Sequence, residues 1–192
     1  MLKLAILGSG YGSNFQAIID AIEFDDLSAE VVCVISDVKE AHILTRAQNN
    51  QIPNYYIDCF PFKNIIKDAP EKNLISVLKE HEPDLIVLAG FMRIIKNELL
   101  GAYKGKIINI HPSLLPNFPG LDAGKKAFDA GVKETGCTVH YVDEGIDTGR
   151  IILQEKVTVN KTDTLEVLMK KIHHAEHIAL PKAINVIIDE AS

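Results

Sequence analysis

The sequence has few cysteines, and they form no recognisable metal or redox motif. Cys33, Cys59 and Cys137 are odd in number and far apart, and no C-x-x-C pair is present. Zinc sites and catalytic dithiols depend on closely spaced cysteines, so neither is indicated. The three residues are therefore predicted to be reduced, mostly buried thiols in a cytoplasmic protein.

Long apolar runs and an excess of positive charge are also absent. The apolar run in MLKLAILGSG (1–10) is too short for a signal peptide, and no stretch approaches the roughly 20 apolar residues that span a bilayer. The formal net charge of −6 does not suit a nucleic-acid binder, which needs a concentrated basic surface. Membrane and nucleic-acid partners are not expected. A small anionic ligand is compatible with this charge, because helix N-termini bind anions through backbone N–H groups.

What the sequence does contain is an alternation of short apolar segments with segments of helical spacing. Strands are predicted at residues 2–7, 30–36, 55–58, 84–90 and 106–111, and helices at 14–24, 40–50, 70–81 and 92–103. Repeated βα units predict an α/β fold with a Rossmann-like, mostly parallel twisted sheet flanked by helices. At 192 residues, one domain is expected.

The pattern changes toward the C-terminus. The segments CTVHYV (137–142) and RIILQEKVTV (150–159) are separated by only seven residues, which is too few for a crossover helix. An antiparallel strand pair is therefore predicted. Helical spacing then runs from Thr164 to about Glu190, and Pro181 is predicted to kink or break that helix.

Ligands of open parallel sheets bind at the carboxyl ends of strands, and two early strand ends carry suggestive residues. In GSGYGSN (8–14), Ser13 or Asn14 can cap a helix whose N–H groups would favour a phosphate, although an ordinary βα turn fits equally well. The segment matches neither the dinucleotide fingerprint nor the P-loop. In GFMRI (90–94), Arg93 is either a surface residue or a partner for a ligand carboxylate.

Two later strand ends carry groups suited to proton chemistry. In KIINIHPSLLPNFPG (106–120), the two-residue period places Asn109 and His111 on one face of the strand. In VDEGIDTG (142–149), Asp143, Glu144 or Asp147 can reach His111 and raise its affinity for a proton. The alternatives are polar residues at the rim of the core and a solvated acidic turn, and spacing alone does not choose among the three carboxylates.

A possible zinc motif is present in HHAEH (173–177), which matches H-x-x-E-H. Such a site needs a third ligand and an open coordination position, and no third ligand is evident downstream. Because matches of five residues arise by chance, His173, His174 and His177 are interpreted as ordinary helix residues, with no metal predicted.

The segments GYGSN (10–14), LAGFMRI (88–94), NIHPSLLPNFPG (109–120), TVHYVDEGIDTG (138–149) and AEHIALP (175–181) together resemble the phosphoribosylglycinamide formyltransferases. The resemblance covers nearly the whole chain in the family's order. It implies formyl transfer from 10-formyltetrahydrofolate, as co-substrate, to the amine of glycinamide ribonucleotide in purine biosynthesis. The expected protein is a cytoplasmic monomer or homodimer that binds small molecules and needs no metal.

The resemblance also implies a role for particular residues. The catalytic residues would be Asn109, His111 and Asp147. The substrate would be bound by Gly12, Ser13 and Asn14 at its phosphate and by Glu176 at its glycinamide end. The folate would be bound by Lys67, Arg93, Ile94, Ile95, Val142, Asp143, Glu144 and Gly145. Residues 1–100 would then form a phosphate-binding half of the single domain 1–192, and residues 101–192 a folate-binding and catalytic half.

Two segments depart from the family pattern. In FPFKNIIKDAPEKN (60–73), Lys67 stands where some members have arginine, and GLDAGKKAF (120–128) lacks a histidine found in other members. The rival functions are a formyltetrahydrofolate deformylase, a methionyl-tRNA formyltransferase and a non-catalytic nucleotide-binding module. The module would leave Asn109, His111 and Asp147 without a role, and the two enzymes usually carry a further domain.

Overall fold

The computed structural model describes residues 1–191, and its strands and helices alternate along most of that range. The strands are β1 (Leu2–Leu7), β2 (Ala29–Ser36), β3 (Asn54–Tyr56), β4 (Leu85–Leu88), β5 (Ile107–His111), β6 (Glu134–Tyr141) and β7 (Ile151–Thr158). The helices are α1 (Ser13–Glu23), α2 (His42–Asn49), α3 (Asp68–His81), α4 (Asn97–Ala102), α5 (Ala123–Asp129) and α6 (Leu165–Ala191).

The strands form one seven-stranded sheet in the order β3-β2-β1-β4-β5-β6-β7. β1 pairs in parallel with β2 and β4, and β2 pairs in parallel with β3. β6 and β7 are antiparallel, with Glu134 opposite Thr158 at one end and His140 opposite Ile151 at the other. The predicted fold class, a mostly parallel sheet with an antiparallel pair near the C-terminus, is confirmed.

The central strands consist mainly of apolar residues, and most of these residues are buried. Leu4–Leu7 of β1 and Leu85–Leu88 of β4 are buried throughout, as expected for parallel strands covered on both faces. α1 buries Phe15, Ile18 and Ile19, which recur at the helical spacing of three to four residues. Polar groups therefore collect where these strands end.

Contacts divide the described residues into two compact units, Met1–Ile108 and the residues from Asn109 onward. The first unit holds β1 to β4 with α1 to α4, and the second holds β6 and β7 with α5 and α6. β5 runs across the division. The prediction of a single domain with halves at 1–100 and 101–192 remains a prediction.

Helix α5 was not predicted, and it forms where the chain can approach α6 closely. A Cβ atom on Gly124 would lie 2.5 Å from the Met169 sulfur and 3.2 Å from Ile172 Cδ1. Only a glycine allows this approach without a shift of the neighbours. Seven residues are too few to display helical periodicity in a sequence, so the helix is defined by this tertiary contact.

Helix α6 continues through Pro181, so the chain does not break there, and the kink that was the other expectation stays a prediction. The helix buries Ala179 and Leu180 before the proline and Ala183 and Ile184 after it. Packing on both sides thus outweighs the cost of roughly 3 kcal/mol that proline imposes in a helix interior. Neither α6 nor any other helix within residues 1–191 is long and apolar enough to cross a membrane.

Helix α4 begins at Asn97, five residues after the predicted start at residue 92. Ile94 forms a parallel β-bridge with Ile65 instead. Its N–H donates to the Asn64 carbonyl at 2.9 Å, and its own carbonyl accepts from the N–H of Ile66 at 3.3 Å. An extended residue in such a bridge cannot be part of a helix, so α4 starts later.

All three cysteines are buried and unbridged, as predicted. Burial raises the pKa of the Cys33 thiol to about 12. The Cys137 thiol also has a pKa of about 12, because burial disfavours the thiolate and the negative charge of Glu176 adds to that effect. Burial raises the pKa of Cys59 as well.

The N-terminus of α4 is capped by a carboxylate from another helix. Glu71 of α3 is only 3% exposed, and its Oε1 accepts a hydrogen bond from the N–H of Leu99 at 3.0 Å. The first N–H groups of a helix have no partner inside the helix, so this contact satisfies one that would otherwise be buried and unpaired.

Glu71→Ala is expected to lower the free energy of unfolding by about 1–3 kcal/mol, because it leaves the Leu99 N–H buried without an acceptor. Glu71→Gln keeps an acceptor oxygen at the same place and should retain most of the stability. Denaturant unfolding of both variants measures the difference. A Glu71→Ala protein within about 0.5 kcal/mol of wild type would contradict this capping role.

Candidate active site

Strand β5 ends in two polar side chains on one face. The burial pattern of Ile107–His111 is interrupted only at Asn109, which is partly exposed, whereas His111 is 5% exposed. Residues two apart in a strand point the same way, so Asn109 and His111 lie side by side as predicted.

The His111 ring has an oxygen atom near each of its nitrogens. Nε2 lies 2.9 Å from the carbonyl oxygen of Phe118, and Nδ1 lies 3.4 Å from Oδ2 of Asp147. A carbonyl oxygen only accepts hydrogen bonds, so Nε2 carries a proton. A second proton on Nδ1 would face the carboxylate, and the doubly protonated ring would then have a partner on both sides.

The Phe118 carbonyl is itself held in place by a buried serine. The Ser113 hydroxyl lies 2.6 Å from the carbonyl oxygen of Asn117 and 3.3 Å from that of Phe118. The Thr138 hydroxyl donates to the Ser113 carbonyl at 2.7 Å. The hydroxyl groups of Ser113 and Thr138 therefore hold backbone carbonyls of this loop.

Asp147 is the carboxylate that reaches His111. Its Oδ2 also accepts a hydrogen bond from the N–H of Gly120 at 2.8 Å, and its side chain is 12% exposed. Asp143 instead braces the loop, because its Oδ1 accepts from the Gly145 N–H at 3.0 Å and the Thr148 hydroxyl at 2.7 Å.

The pKa of Asp147 lies below its ordinary value of 3.8. Burial alone would raise the pKa, because a carboxylate loses hydration when it leaves water. The contact with His140, the hydrogen bond from Gly120 and the charges of His111 and His140 together more than offset burial. Asp147 is therefore negatively charged at neutral pH.

His140 is a site residue that the sequence did not predict. It is 2% exposed, and its Nδ1 lies 2.9 Å from the Tyr141 carbonyl oxygen. Its Nε2 lies 3.3 Å from Nδ2 of Asn109 and 3.6 Å from Oδ1 of Asp147. His140 thus connects two of the predicted catalytic residues. The sequence feature that could have identified His140 is the alternation of CTVHYV, which places this histidine at the end of β6.

The predicted phosphate-binding residues lie where α1 begins. Gly12 is the N-cap of α1 in the left-handed conformation, with φ 76° and no side-chain capping hydrogen bond. The prediction that Ser13 or Asn14 caps the helix is therefore wrong, because both lie inside its first turn. Gly12 is needed here, since a Cβ atom would lie 2.8 Å from Ile43 Cβ.

The predicted folate-binding arginine is engaged with an aspartate. Nε of Arg93 lies 2.6 Å from Oδ2 of Asp37, which is 8% exposed, and Oδ1 of Asp37 accepts from the Ser9 hydroxyl at 2.5 Å. A terminal guanidinium nitrogen of Arg93 donates to the Phe62 carbonyl. Nζ of Lys67 lies 4.8 Å from the centre of the Phe62 ring. Arg93 and Lys67 thus both contact the same loop residue.

The remaining predicted residues are placed as follows. Ile95 is buried and Ile94 is exposed, and both lie in the segment before α4. Val142, Asp143, Glu144 and Gly145 lie in the turn between β6 and β7, after His140 and Tyr141. Glu176 is buried in α6, where its charge contributes to the raised pKa of Cys137.

The H-x-x-E-H segment lies on α6, with His173 and His174 exposed and His177 partly buried. Among residues 1–191, no group of three or more histidine, cysteine, aspartate or glutamate side chains is placed to hold a metal ion.

Comparisons with known proteins agree on one family. The family model described as formyl transferase matches residues 2–184. A phosphoribosylglycinamide formyltransferase of Bacillus subtilis is 46% identical over 98% of this chain and 95% of its own. The crystal structure of a phosphoribosylglycinamide formyltransferase from Bacillus halodurans superposes with a TM-score of 0.93, at 44% identity, over 99% of this chain and 97% of that one. A formyltetrahydrofolate deformylase from Pseudomonas syringae has a TM-score of 0.90 at 27% identity, covering 98% of this chain and 62% of that one. The chain therefore belongs to the formyl transferase family.

Proposed function

We propose that this protein transfers the formyl group of 10-formyltetrahydrofolate to the amine of glycinamide ribonucleotide, a step of purine biosynthesis. The observation that carries the proposal is the contact of Asp147 with His111 at the end of β5, beside Asn109. Support for this substrate over others comes from the 46% identity to the Bacillus subtilis phosphoribosylglycinamide formyltransferase along nearly the full length of both chains.

Asn109 and His111 are assigned as hydrogen-bond donors to the formyl oxygen. When the amine attacks the formyl carbon, negative charge develops on this oxygen and needs fixed donors. The Asn109 amide has two N–H groups, of which one faces His140, so the other is left for the substrate. The proton on Nδ1 of His111 is the second donor, and the proposal has it shared between the formyl oxygen and Oδ2 of Asp147, whose 3.4 Å separation from Nδ1 is long for a charge-assisted hydrogen bond.

Asp147 is assigned the role of stabilising the positive charge of the protonated His111 ring. An effective general base has a pKa near the working pH, whereas the pKa of Asp147 is lowered from 3.8. The carboxylate thus serves best by stabilising the imidazolium. The proton that leaves the attacking amine reaches the departing folate nitrogen through a water molecule bound to Asp147. This route requires no metal ion and no covalent nucleophile.

The other residues are assigned to binding. Gly12, Ser13 and Asn14 bind the substrate's phosphate through the N-terminus of α1. Glu176 binds the glycinamide amine. The folate contacts Lys67, the segment Arg93, Ile94 and Ile95, and the turn Val142, Asp143, Glu144 and Gly145. A cytoplasmic location and a monomeric or homodimeric state remain predictions.

A deformylase is the alternative, since it would use the same residues to direct water at the formyl carbon. It is disfavoured by the lower identity of 27% to the deformylase neighbour. Incubation with glycinamide ribonucleotide and 10-formyltetrahydrofolate separates the two functions. Formylated product that depends on both substrates supports the transferase. Formate release without formylated product would identify a hydrolase.

His111→Ala and Asp147→Ala are each expected to lower kcat by about a hundredfold or more, since each removes stabilisation of the developing oxyanion. Ligand dissociation constants should change much less. Steady-state kinetics with both substrates and calorimetric titration measure the two quantities. His174→Ala, on the exposed face of α6, is the matched histidine control. Near-normal turnover in either site variant would remove that residue from the mechanism.

The pH dependence of the Asp147 contribution can also be predicted. Its pKa is lowered from 3.8, so the carboxylate stays charged as pH falls, until well into the acidic range. The carbon-13 chemical shift of the Asp147 carboxyl, measured by NMR, should therefore show no carboxyl titration from about pH 5 to pH 8. A carboxyl titration within that interval would show that Asp147 takes up a proton there and would contradict the prediction.

Arg93→Ala is expected to raise KM for the folate by about tenfold, because it leaves the buried Asp37 without its cation and releases the Phe62 loop. Asp37→Asn tests how Arg93 acts. An equal rise in both variants indicates that Arg93 positions the loop through the ion pair. A rise confined to Arg93→Ala indicates that the guanidinium contacts the folate. Unchanged folate affinity in Arg93→Ala would refute its assignment to this site.

A further inference from the structure

A cluster of three side chains lies beside the loop that precedes α1. Tyr11 is 65% exposed, and the His42 ring stacks on it with centroids 4.6 Å apart and an interplanar angle of 7°. The guanidinium carbon of Arg46 lies 4.5 Å from the centre of the Tyr11 ring. We call Tyr11, His42 and Arg46 the Tyr11 clamp. None of these three residues has been assigned to the candidate active site, although Tyr11 directly precedes Gly12.

The clamp acts on the backbone through the Tyr11 carbonyl. Nε of Arg46 donates to this oxygen at 3.0 Å, and Nδ1 of His42 lies 3.3 Å from it. Nη1 of Arg46 donates to Oε1 of Gln16 on α1 at 2.9 Å. One guanidinium therefore links Tyr11, the residue before the N-cap, to Gln16, which lies one turn into α1.

Fixing this carbonyl also fixes the next N–H group. A trans peptide is planar, and its N–H points away from its C=O. With the Tyr11 carbonyl turned toward Arg46, the N–H of Gly12 must point to the opposite side. The following peptide is fixed as well, because the Gly12 carbonyl accepts from the N–H of Gln16 at 3.0 Å.

Helix α2 also contacts the two glycines of this loop, Gly10 and Gly12. The N–H of Ile43 donates to the Gly10 carbonyl at 3.1 Å, and Ile43 fills the space that a side chain at Gly12 would occupy. Arg46 lies one helical turn beyond His42 on α2, so both clamp donors come from one rigid element.

We propose that Arg46, with Tyr11 and His42, is a positioning residue for the substrate's phosphate. It holds the Tyr11–Gly12 peptide so that the Gly12 N–H joins those of Ser13 and Asn14 on the anion. In this proposal Arg46 acts through Tyr11 and Gln16, to which two of its five N–H groups donate, and the phosphate is bound by backbone N–H groups. This inference rests on the proposed function, since it presumes that residues 12–14 bind a phosphate.

The test compares a substrate that has the phosphate with one that lacks it. Arg46→Met removes the charge and both donors, whereas Arg46→Lys keeps the charge but cannot reproduce the fork that joins Tyr11 to Gln16. Lys170→Met is the matched charge control, because Lys170 is exposed on α6 and pairs only with Glu166 among the contacts described. All proteins are assayed with glycinamide ribonucleotide and with glycinamide riboside.

Both Arg46 variants are expected to raise KM for glycinamide ribonucleotide by about tenfold, with kcat within about twofold of wild type. The kcat/KM for glycinamide riboside should be unchanged, because that substrate does not use the loop. Lys170→Met should behave as wild type with both substrates.

Three results would each overturn the inference. A wild-type KM in Arg46→Lys would show that only charge is needed. An equal loss with both substrates would show a general structural role. An equal rise in KM for Lys170→Met would show long-range attraction of the phosphate.

Calorimetric titration with ribose 5-phosphate separates failure of this inference from failure of the proposed function. Phosphate binding that is weakened about tenfold in both Arg46 variants supports the positioning role even if wild type does not formylate glycinamide ribonucleotide. In that case only the proposed function is wrong. Absence of ribose 5-phosphate binding to wild type would overturn the positioning role.

Discussion

The carboxylate of Asp147 is the group on which the candidate active site depends. It contacts the end of β5 through His111, the loop after β5 through the Gly120 N–H, and the end of β6 through His140. The stretch from β5 into its following loop, the end of β6 and the turn that carries Asp147 are thus fixed around one negative charge. The same contacts keep its pKa low, so the charge that organises the site is present whenever the protein is at neutral pH.

The loops of the first unit follow a related design, in which charged side chains hold backbone groups. Arg93 pairs with Asp37 and donates to the Phe62 carbonyl, and Arg46 donates to the Tyr11 carbonyl. In each case two guanidinium N–H groups donate to the protein itself. Loops that offer backbone groups to a ligand need such support, because backbone N–H groups can bind an anion well only when their directions are fixed.

The sequence predicted the features that depend on local periodicity. The strands, the shared face of Asn109 and His111, and the antiparallel pair β6 and β7 all follow from residue alternation and loop length. Features that depend on distant partners were missed. Nothing local in the chain pairs Arg93 with Asp37, which lies 56 positions earlier. The sequence also left open whether α6 breaks at Pro181, since the buried surface that keeps the helix continuous is visible only in the folded chain.

The buried cysteines have a consequence for how opening of the chain can be observed. A thiol reacts with an alkylating reagent as its thiolate and only when the reagent can reach it. Cys33 of the first unit and Cys137 of the second are both inaccessible, with pKa values of about 12. Each can be labelled only after its surroundings unfold. The two residues are therefore natural reporters, one in each unit, and their separate labelling rates would reveal whether the two units open together or independently.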